Sequence, residues 1–136
     1  MGKGDFTMAV LINGRDLTVA QVIRGCRHGE KVELTPEAVE AVKKARAYVE
    51  KKVADKAVVY GLTTGFGKFA NVSISTEETA QLQKNLIMSH TCAMGKPYER
   101  KYVRAAMLLR ANSLARGNSG IRLETLQTLI DMLNAG

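Results

Sequence analysis

Apolar residues recur every three or four positions along most of this 136-residue chain, and this spacing predicts a mainly helical fold. The clearest case follows Thr35-Pro36, a pair that suits the N-cap and the first position of a helix. A second helix is predicted over about residues 98–115, with Gly117 as its C-cap, and a last one from Ser119. The predicted apolar stripe of this last helix consists of Leu123, Leu126, Ile130 and Leu133. The predicted buried stripe of the first of these helices consists of Val39, Val42, Ala45, Val49 and Val53.

The first 35 residues carry the strand-like segments of the chain. Residues 7–12 read as a short strand that turns at Asn13-Gly14, and residues 31–34 read as a second strand. Between them lies a short amphipathic segment that we predict to be a helix. Its alternative caps are Asp16 or Thr18 at the start and Gly25 or Gly29 at the end.

A further helix is predicted over about residues 76–93, with Ser75 and Glu78 as its capping box. Gly95 and Pro97 then break the chain. The fold class expected from these elements is mainly α with a small N-terminal β element. The length favours a single domain with a modest core.

Much of the net charge of +7 comes from residues 96–124, where seven cations face only Glu99 and Glu124. These cations are spread along helix-like segments, so we do not expect nucleic acid as a partner. We interpret the cations as a solvated face or as a face that meets an acidic partner. They are Lys96, Arg100, Lys101, Arg104, Arg110, Arg116 and Arg122.

No segment of the sequence indicates a membrane, a secretory signal or a metal site. No apolar run approaches the roughly 20 residues of a membrane span, so a cytoplasmic location is expected. Cys26 and Cys92 are far apart and read as two reduced structural thiols. His28 and His90 are too distant in sequence to suggest shared metal ligation.

A glycine-rich stretch at residues 58–69, VVYGLTTGFGKF, is a candidate phosphate-binding loop. Its spacing excludes both common types. A P-loop ending at Gly67-Lys68 needs a glycine where Leu62 stands and a hydroxyl where Phe69 stands. The dinucleotide pattern needs a third glycine where Ala70 stands.

Two interpretations of the stretch stay open on its residues alone. Gly61, Gly65 and Gly67 suit a plain turn, since glycine adopts positive φ without steric cost. Alternatively the stretch is a mobile lid that brings Tyr60 into a site, with Phe66 as a hydrophobic anchor. Tyrosine works as a general base where positive charge or hydrogen bonds stabilise its phenolate.

Three longer motifs carry a family resemblance. Residues 59–74, 82–97 and 104–135 resemble the N-terminal part of the aromatic amino acid lyase and aminomutase family, and within it the histidine ammonia-lyases. The resemblance is close from about residue 58 to the end and looser over residues 1–57. It implies the N-terminal domain of the ammonia-lyase (fumarase/aspartase-like) fold and a reaction that converts L-histidine to urocanate and ammonia.

The resemblance also implies roles for particular residues. Tyr60 matches the family's catalytic base, which takes the β-proton of the substrate, and Gly61, Gly65, Phe66 and Gly67 match its lid loop. His90 matches a histidine that contacts the substrate side chain. The segment 109–120, LRANSLARGNSG, matches a structural helix-turn-helix near the site.

One departure from the family limits what the chain does alone. The family's electrophile, 4-methylidene-imidazol-5-one (MIO), forms from an Ala-Ser-Gly triplet that in the family follows shortly after the matched region. No such triplet occurs in these 136 residues. We therefore expect an inactive fragment, with MIO only in a complete enzyme.

The resemblance leaves several alternatives open. The fragment could come from a tyrosine or phenylalanine ammonia-lyase or from an aminomutase. It could also be a stand-alone interaction or regulatory subunit of a split lyase, docking through its apolar last helix and its basic third quarter. Expected partners are an amino acid substrate and either further copies of the chain or a polypeptide that carries the rest of the lyase.

Overall fold

The structure, a computed structural model, describes residues 9–64 and 76–136, apart from the side chains of residues 76–80. Helices dominate this part of the chain, and a small parallel sheet precedes most of them, which confirms the predicted fold class. Within it, no helix combines the length and the apolar character needed to cross a membrane. The elements are β1 (Val10–Ile12), α1 (Val19–Arg27), β2 (Val32–Leu34), α2 (Pro36–Ala54), α3 (Thr76–His90), α4 (Arg100–Ala115) and α5 (Leu123–Ala135).

The chain divides into two compact units. The first unit combines Met1–Tyr48 with Tyr98–Gly136, and the second unit is Val49–Pro97. The single domain expected from the chain length stays a prediction.

Strands β1 and β2 pair in parallel, with Val10 opposite Val32 and Ile12 opposite Leu34. The predicted turn after β1 is present, because Asn13 Oδ1 accepts hydrogen bonds from the backbone N–H groups of Arg15 and Asp16 at 2.9 and 3.1 Å. The turn leads into α1 and not into a neighbouring strand. Helix α1 therefore makes the crossover that a parallel pair requires.

The structure decides between the alternative caps of α1. Thr18 is the N-cap and forms a capping box with Gln21, so Asp16 is not needed in that role. Gly29, at φ +71°, follows the last turn and ends the helix region. Gly25 lies inside the helix, where an added Cβ would come within 3.0 Å of Leu108 Cδ2. Its role is close packing against α4 and not helix termination.

A side chain completes the outer edge of β2. Asn134, near the end of α5, accepts from Val32 N and donates to Val32 O, both at 2.9 Å. Its amide thus makes the two hydrogen bonds that a further strand residue would make. This satisfies backbone groups that an edge strand leaves open.

The core of the first unit lies between the sheet, the start of α2 and the facing sides of α4 and α5. Helix α5 buries three residues of its predicted stripe, Leu126, Ile130 and Leu133, within this core, and the fourth, Leu123, is partly buried against it. Its stripe is therefore already covered and is not a docking face, contrary to one of the alternatives above. The other buried apolar members are Val10, Ile12, Val32, Ala38, Val42, Leu108, Ala111 and Ala115.

Several predicted helix boundaries and faces need correction. Helix α5 begins at Leu123 and not at Ser119, whose hydroxyl instead accepts from Ile121 N at 3.3 Å. Within the predicted stripe of α2 only Val42 is buried, and Val53 is 43% exposed. Thr35 does cap α2 as predicted, since its Oγ1 accepts from Ala38 N at 3.2 Å.

Arg104 is buried, which contradicts the interpretation of the basic residues as one solvated face. Its guanidinium donates from Nη1 to Leu133 O at 2.6 Å and from Nη2 to Gly25 O at 2.9 Å. Both carbonyls belong to the last turns of helices, α5 and α1, where the negative end of the helix dipole favours a cation. Arg104 thus ties three helices together.

The helix-turn-helix motif is used for packing. Asn112 Oδ1 accepts from Gly14 N at 2.9 Å and fixes the turn after β1. Gly117 lies so close to α2 that an added Cβ would be 2.7 Å from the backbone of Ala41. Gly120 O accepts from Arg46 Nη1 at 3.3 Å. These contacts give a physical reason for the polar and glycine positions of the motif.

Replacing Arg104 tests its role in the first unit. Arg104→Met removes both hydrogen bonds and leaves two helix-end carbonyls without this donor, so we expect a loss of about 3 kcal/mol in the free energy of unfolding. Arg110→Met, at an exposed position of the same helix, serves as the control and is expected to change it by about 0.5 kcal/mol or less. Urea denaturation followed by circular dichroism measures both. Equal stability of the two variants would show that the buried guanidinium is dispensable.

Substituting two glycines that have similar φ distinguishes the cost of backbone strain from the cost of a steric clash. Gly29 has φ +71° and open space around it, whereas Gly117 has φ +75° and the Ala41 backbone within 2.7 Å of an added Cβ. Gly29→Ala is expected to cost about 1 kcal/mol of stability, and Gly117→Ala about 2 kcal/mol more because the helices must separate. Thermal unfolding of the two variants gives the difference. A Gly117→Ala variant as stable as Gly29→Ala would contradict the close approach of α2.

Candidate functional site

Helix α2 ends in a motif that directs the chain toward Tyr60. Lys56 N donates to Val53 O and Ala57 N donates to Lys52 O, both at 3.1 Å, with Lys56 at φ +53°. This is the Schellman arrangement of hydrogen bonds, with a lysine where glycine is usual. The chain leaves the helix at Ala57 in a defined direction.

Tyr60 lies at the centre of the tight turn that follows. The N–H groups of Leu62 and Thr63 both donate to Val59 O, at 3.1 and 3.0 Å. Gly61 has φ +69°, the conformation that type II turns require at their third position. The Tyr60 side chain is 64% exposed. Tyr60 and Gly61 therefore form the central pair of a turn, and whether this turn belongs to a lid stays a prediction.

The predicted lid continues beyond this turn. Gly61 belongs to the turn, while Gly65, Phe66 and Gly67 lie outside the described residues, as does the predicted capping residue Ser75. Their roles stay predictions.

His90 is the last residue of α3, and its side chain is exposed. Its Nδ1 lies 2.9 Å from Leu86 O and 3.0 Å from Ser89 Oγ. A carbonyl only accepts hydrogen bonds, so Nδ1 must carry the proton in the contact with Leu86. In the neutral ring this leaves Nε2 as a hydrogen-bond acceptor.

Both predicted site residues belong to the second unit. A cavity of about 610 Å³ and another of about 310 Å³ lie in the first unit, and neither is lined by Tyr60 or His90. The larger is bordered by cationic side chains of α1 and α4, among them Arg27, Arg100 and Lys101. The side chains of Tyr60 and His90 are both exposed.

Sequence reasoning missed the two threonines that follow the Tyr-Gly pair. Thr63 Oγ1 donates to Ala57 O at 2.6 Å and accepts from Val59 N at 2.9 Å. Thr64 is buried, and its Oγ1 accepts from Gly61 N at 3.4 Å. Their position beside a turn is the sequence signal that indicates this role, since threonine hydroxyls there often form hydrogen bonds with nearby backbone groups.

The two cysteines are free, as predicted, but differ in environment: Cys26 is buried and Cys92 is exposed. Packing therefore accounts for Cys26 only. Among the described residues, no three His, Cys, Asp or Glu side chains come together as metal ligands.

The match to known proteins covers most of the chain. The aromatic amino acid lyase family profile matches residues 17–136, which include the Tyr60 turn, the His90 helix and the helix-turn-helix. The chain belongs to this family. The match also reaches back through most of the region where the motifs alone gave a looser resemblance.

The relatives include histidine ammonia-lyases. The chain is 51% identical to the histidine ammonia-lyase of Alkaliphilus oremlandii over 93% of its length, and this covers 25% of that enzyme. Its fold matches the crystal structure of histidine ammonia-lyase from Trypanosoma cruzi with a TM-score of 0.86 and 38% identity, over 95% of this chain and 25% of that one. It also matches the phenylalanine aminomutase of Pantoea agglomerans, with a TM-score of 0.84 and 35% identity, over 93% and 25% of the two chains. The chain thus spans about a quarter of the length of its relatives.

The tautomer of His90 is directly measurable. Long-range proton–nitrogen spectra of the neutral imidazole should show Nδ1 protonated and Nε2 bare, because Leu86 O holds the Nδ1 proton. His28 provides the comparison within the same spectrum. A neutral His90 ring protonated at Nε2 would contradict the contact with Leu86.

Proposed function

We propose that this chain is the N-terminal quarter of a histidine ammonia-lyase, an enzyme that eliminates ammonia from L-histidine to give urocanate. The observation that carries the proposal is the 51% identity to a curated histidine ammonia-lyase over 93% of the chain. In this proposal the chain contributes a tyrosine base and a histidine that contacts the substrate.

Tyr60 is proposed to remove the β-proton of the substrate. A general base must come within hydrogen-bond reach of the proton it takes. The exposed phenol at the centre of a tight turn supports this role, because Gly61 adds no side chain beside it. The proton is transferred to the phenolate oxygen, and the nearby backbone holds the tyrosine in place.

His90 is proposed to recognise the imidazole of the substrate. Its Nδ1–H is engaged by Leu86 O at 2.9 Å, which leaves Nε2 to accept a hydrogen bond. The imidazole N–H of L-histidine and the phenol O–H of L-tyrosine both offer such a hydrogen bond. The side chain of L-phenylalanine offers none, so this geometry favours a substrate with a polar ring.

The family's MIO group, when present, supplies an electrophile. This chain contains no Ala-Ser-Gly triplet, so none of its residues form that group. We propose that the electrophile and the remaining pocket come from the other three quarters of the enzyme. The partners proposed are accordingly the rest of the lyase, in the same or a separate polypeptide, and further copies in an oligomer, in the cytoplasm.

An aminomutase is the second candidate function. The similarity to the Pantoea agglomerans phenylalanine aminomutase, at a TM-score of 0.84, supports it at the level of the fold. A lyase releases ammonia, whereas an aminomutase returns the amino group to the neighbouring carbon. The product therefore separates the two.

A chimera provides the experiment. In it, this chain replaces the matched segment of the Alkaliphilus oremlandii histidine ammonia-lyase. We expect the chimera to produce urocanate from L-histidine, with much lower turnover of L-phenylalanine, and the isolated chain to produce none. Urocanate absorbance and chromatography of the amino acid products measure both outcomes.

The parent enzyme and the isolated chain are the controls. A chimera that matches the parent in circular dichroism and oligomer size but does not turn over L-histidine would contradict the proposed substrate. Formation of a β-amino acid would favour the aminomutase. Turnover by the isolated chain would overturn the proposal that the electrophile lies elsewhere.

A further inference from the structure

We infer that Thr63 is a positioning residue for Tyr60: its hydroxyl fastens the turn that holds the base. This inference rests on the proposed role of Tyr60. It concerns a different side chain, however, and its first test needs no lyase activity.

The Thr63 hydroxyl uses its donor and an acceptor site at once. It donates to Ala57 O at 2.6 Å and accepts from Val59 N at 2.9 Å. Ala57 is the residue at which the chain leaves α2, and Val59 immediately precedes Tyr60. The hydroxyl therefore joins the end of α2 to the beginning of the turn.

The two hydrogen bonds restrict the backbone on the N-terminal side of Tyr60. On the other side, Gly61 N donates to Thr64 Oγ1 at 3.4 Å, and Thr64 is buried. The backbone N–H groups on both sides of Tyr60 thus donate hydrogen bonds to the hydroxyl oxygens of neighbouring threonines. Without the Thr63 hydroxyl, Val59 N loses its acceptor and Ala57 O loses its donor.

The rate of a proton transfer depends on how precisely the general base is positioned. A displacement of about 1 Å of a reacting group is enough to lower a rate about 100-fold. The exposed Tyr60 phenol has a side chain with two rotatable bonds, so its reach is set by the backbone that carries it. Fixing residues 57–63 limits the positions from which the phenol approaches a substrate.

Amide hydrogen exchange of the isolated chain is the first test. Thr63→Val keeps the shape of the side chain and removes the hydroxyl, whereas Thr63→Ser keeps the hydroxyl. We expect exchange at Val59 N to accelerate about tenfold in Thr63→Val and about twofold or less in Thr63→Ser. Thr128→Val is the matched control, since it removes a hydroxyl that donates to Glu124 O at 2.8 Å in α5, and it should leave Val59 unchanged. Unchanged exchange in Thr63→Val would overturn the inference.

Kinetics of the chimera are the second test. We expect Thr63→Val to lower kcat about 10- to 100-fold with a much smaller change in KM, and Thr63→Ser to restore most of kcat. If Thr63→Val loosens Val59 but leaves kcat unchanged, Thr63 does not position the base, while the proposed function stands. If the unmodified chimera has no activity on L-histidine, the proposed function fails, and the exchange result still decides whether Thr63 fastens the turn.

Discussion

A buried arginine holds the first unit together. Arg104 reaches from α4 to the last turns of α1 and α5, where it binds Gly25 O and Leu133 O. The end of α1 is thereby fixed beside the sheet. The end of α5 is fixed where Asn134 completes the edge of β2. A cation suits this position because two helix C-termini bring their negative dipole ends to it.

In the second unit, too, carbonyl groups at helix ends bind side chains. There they determine where the proposed site residues lie. Helix α2 is followed by Lys56 at φ +53°, and the next carbonyl, that of Ala57, accepts a hydrogen bond from the Thr63 hydroxyl. Tyr60 follows within three residues. His90 likewise uses a carbonyl in the last turn of its own helix, that of Leu86, to hold its ring. Each proposed site residue is thus placed by the end of a helix.

Part of the fold and of the candidate site is predictable from the sequence, because it depends on interactions between residues that are close in the chain. Thr35 caps α2, and the stripe Leu126, Ile130 and Leu133 is buried, because caps and helical periodicity act over a few residues. The Tyr60-Gly61 turn was predictable for the same reason, since glycine tolerates the positive φ that it adopts. The family was recognisable from three motifs whose spacing is preserved.

Features that depend on distant partners were not predictable. The sequence places Arg104 among the solvated cations, because nothing near it in sequence reveals two helix ends 29 and 79 residues away. Gly25 was a candidate helix end, because its close contact with Leu108 exists only in the folded core. The Thr63 hydroxyl had many possible acceptors, and only the fold shows that it closes the turn around Tyr60.

Tyr60→Phe in the chimera tests most directly the proposal that this chain supplies the base of a lyase. The substitution removes one oxygen atom and keeps the ring. We expect kcat for L-histidine to fall at least about 100-fold while KM changes little. Tyr98→Phe, which removes the same atom from another exposed tyrosine, should leave kcat unchanged. A Tyr60→Phe chimera with the same kcat as the unmodified chimera would contradict the account.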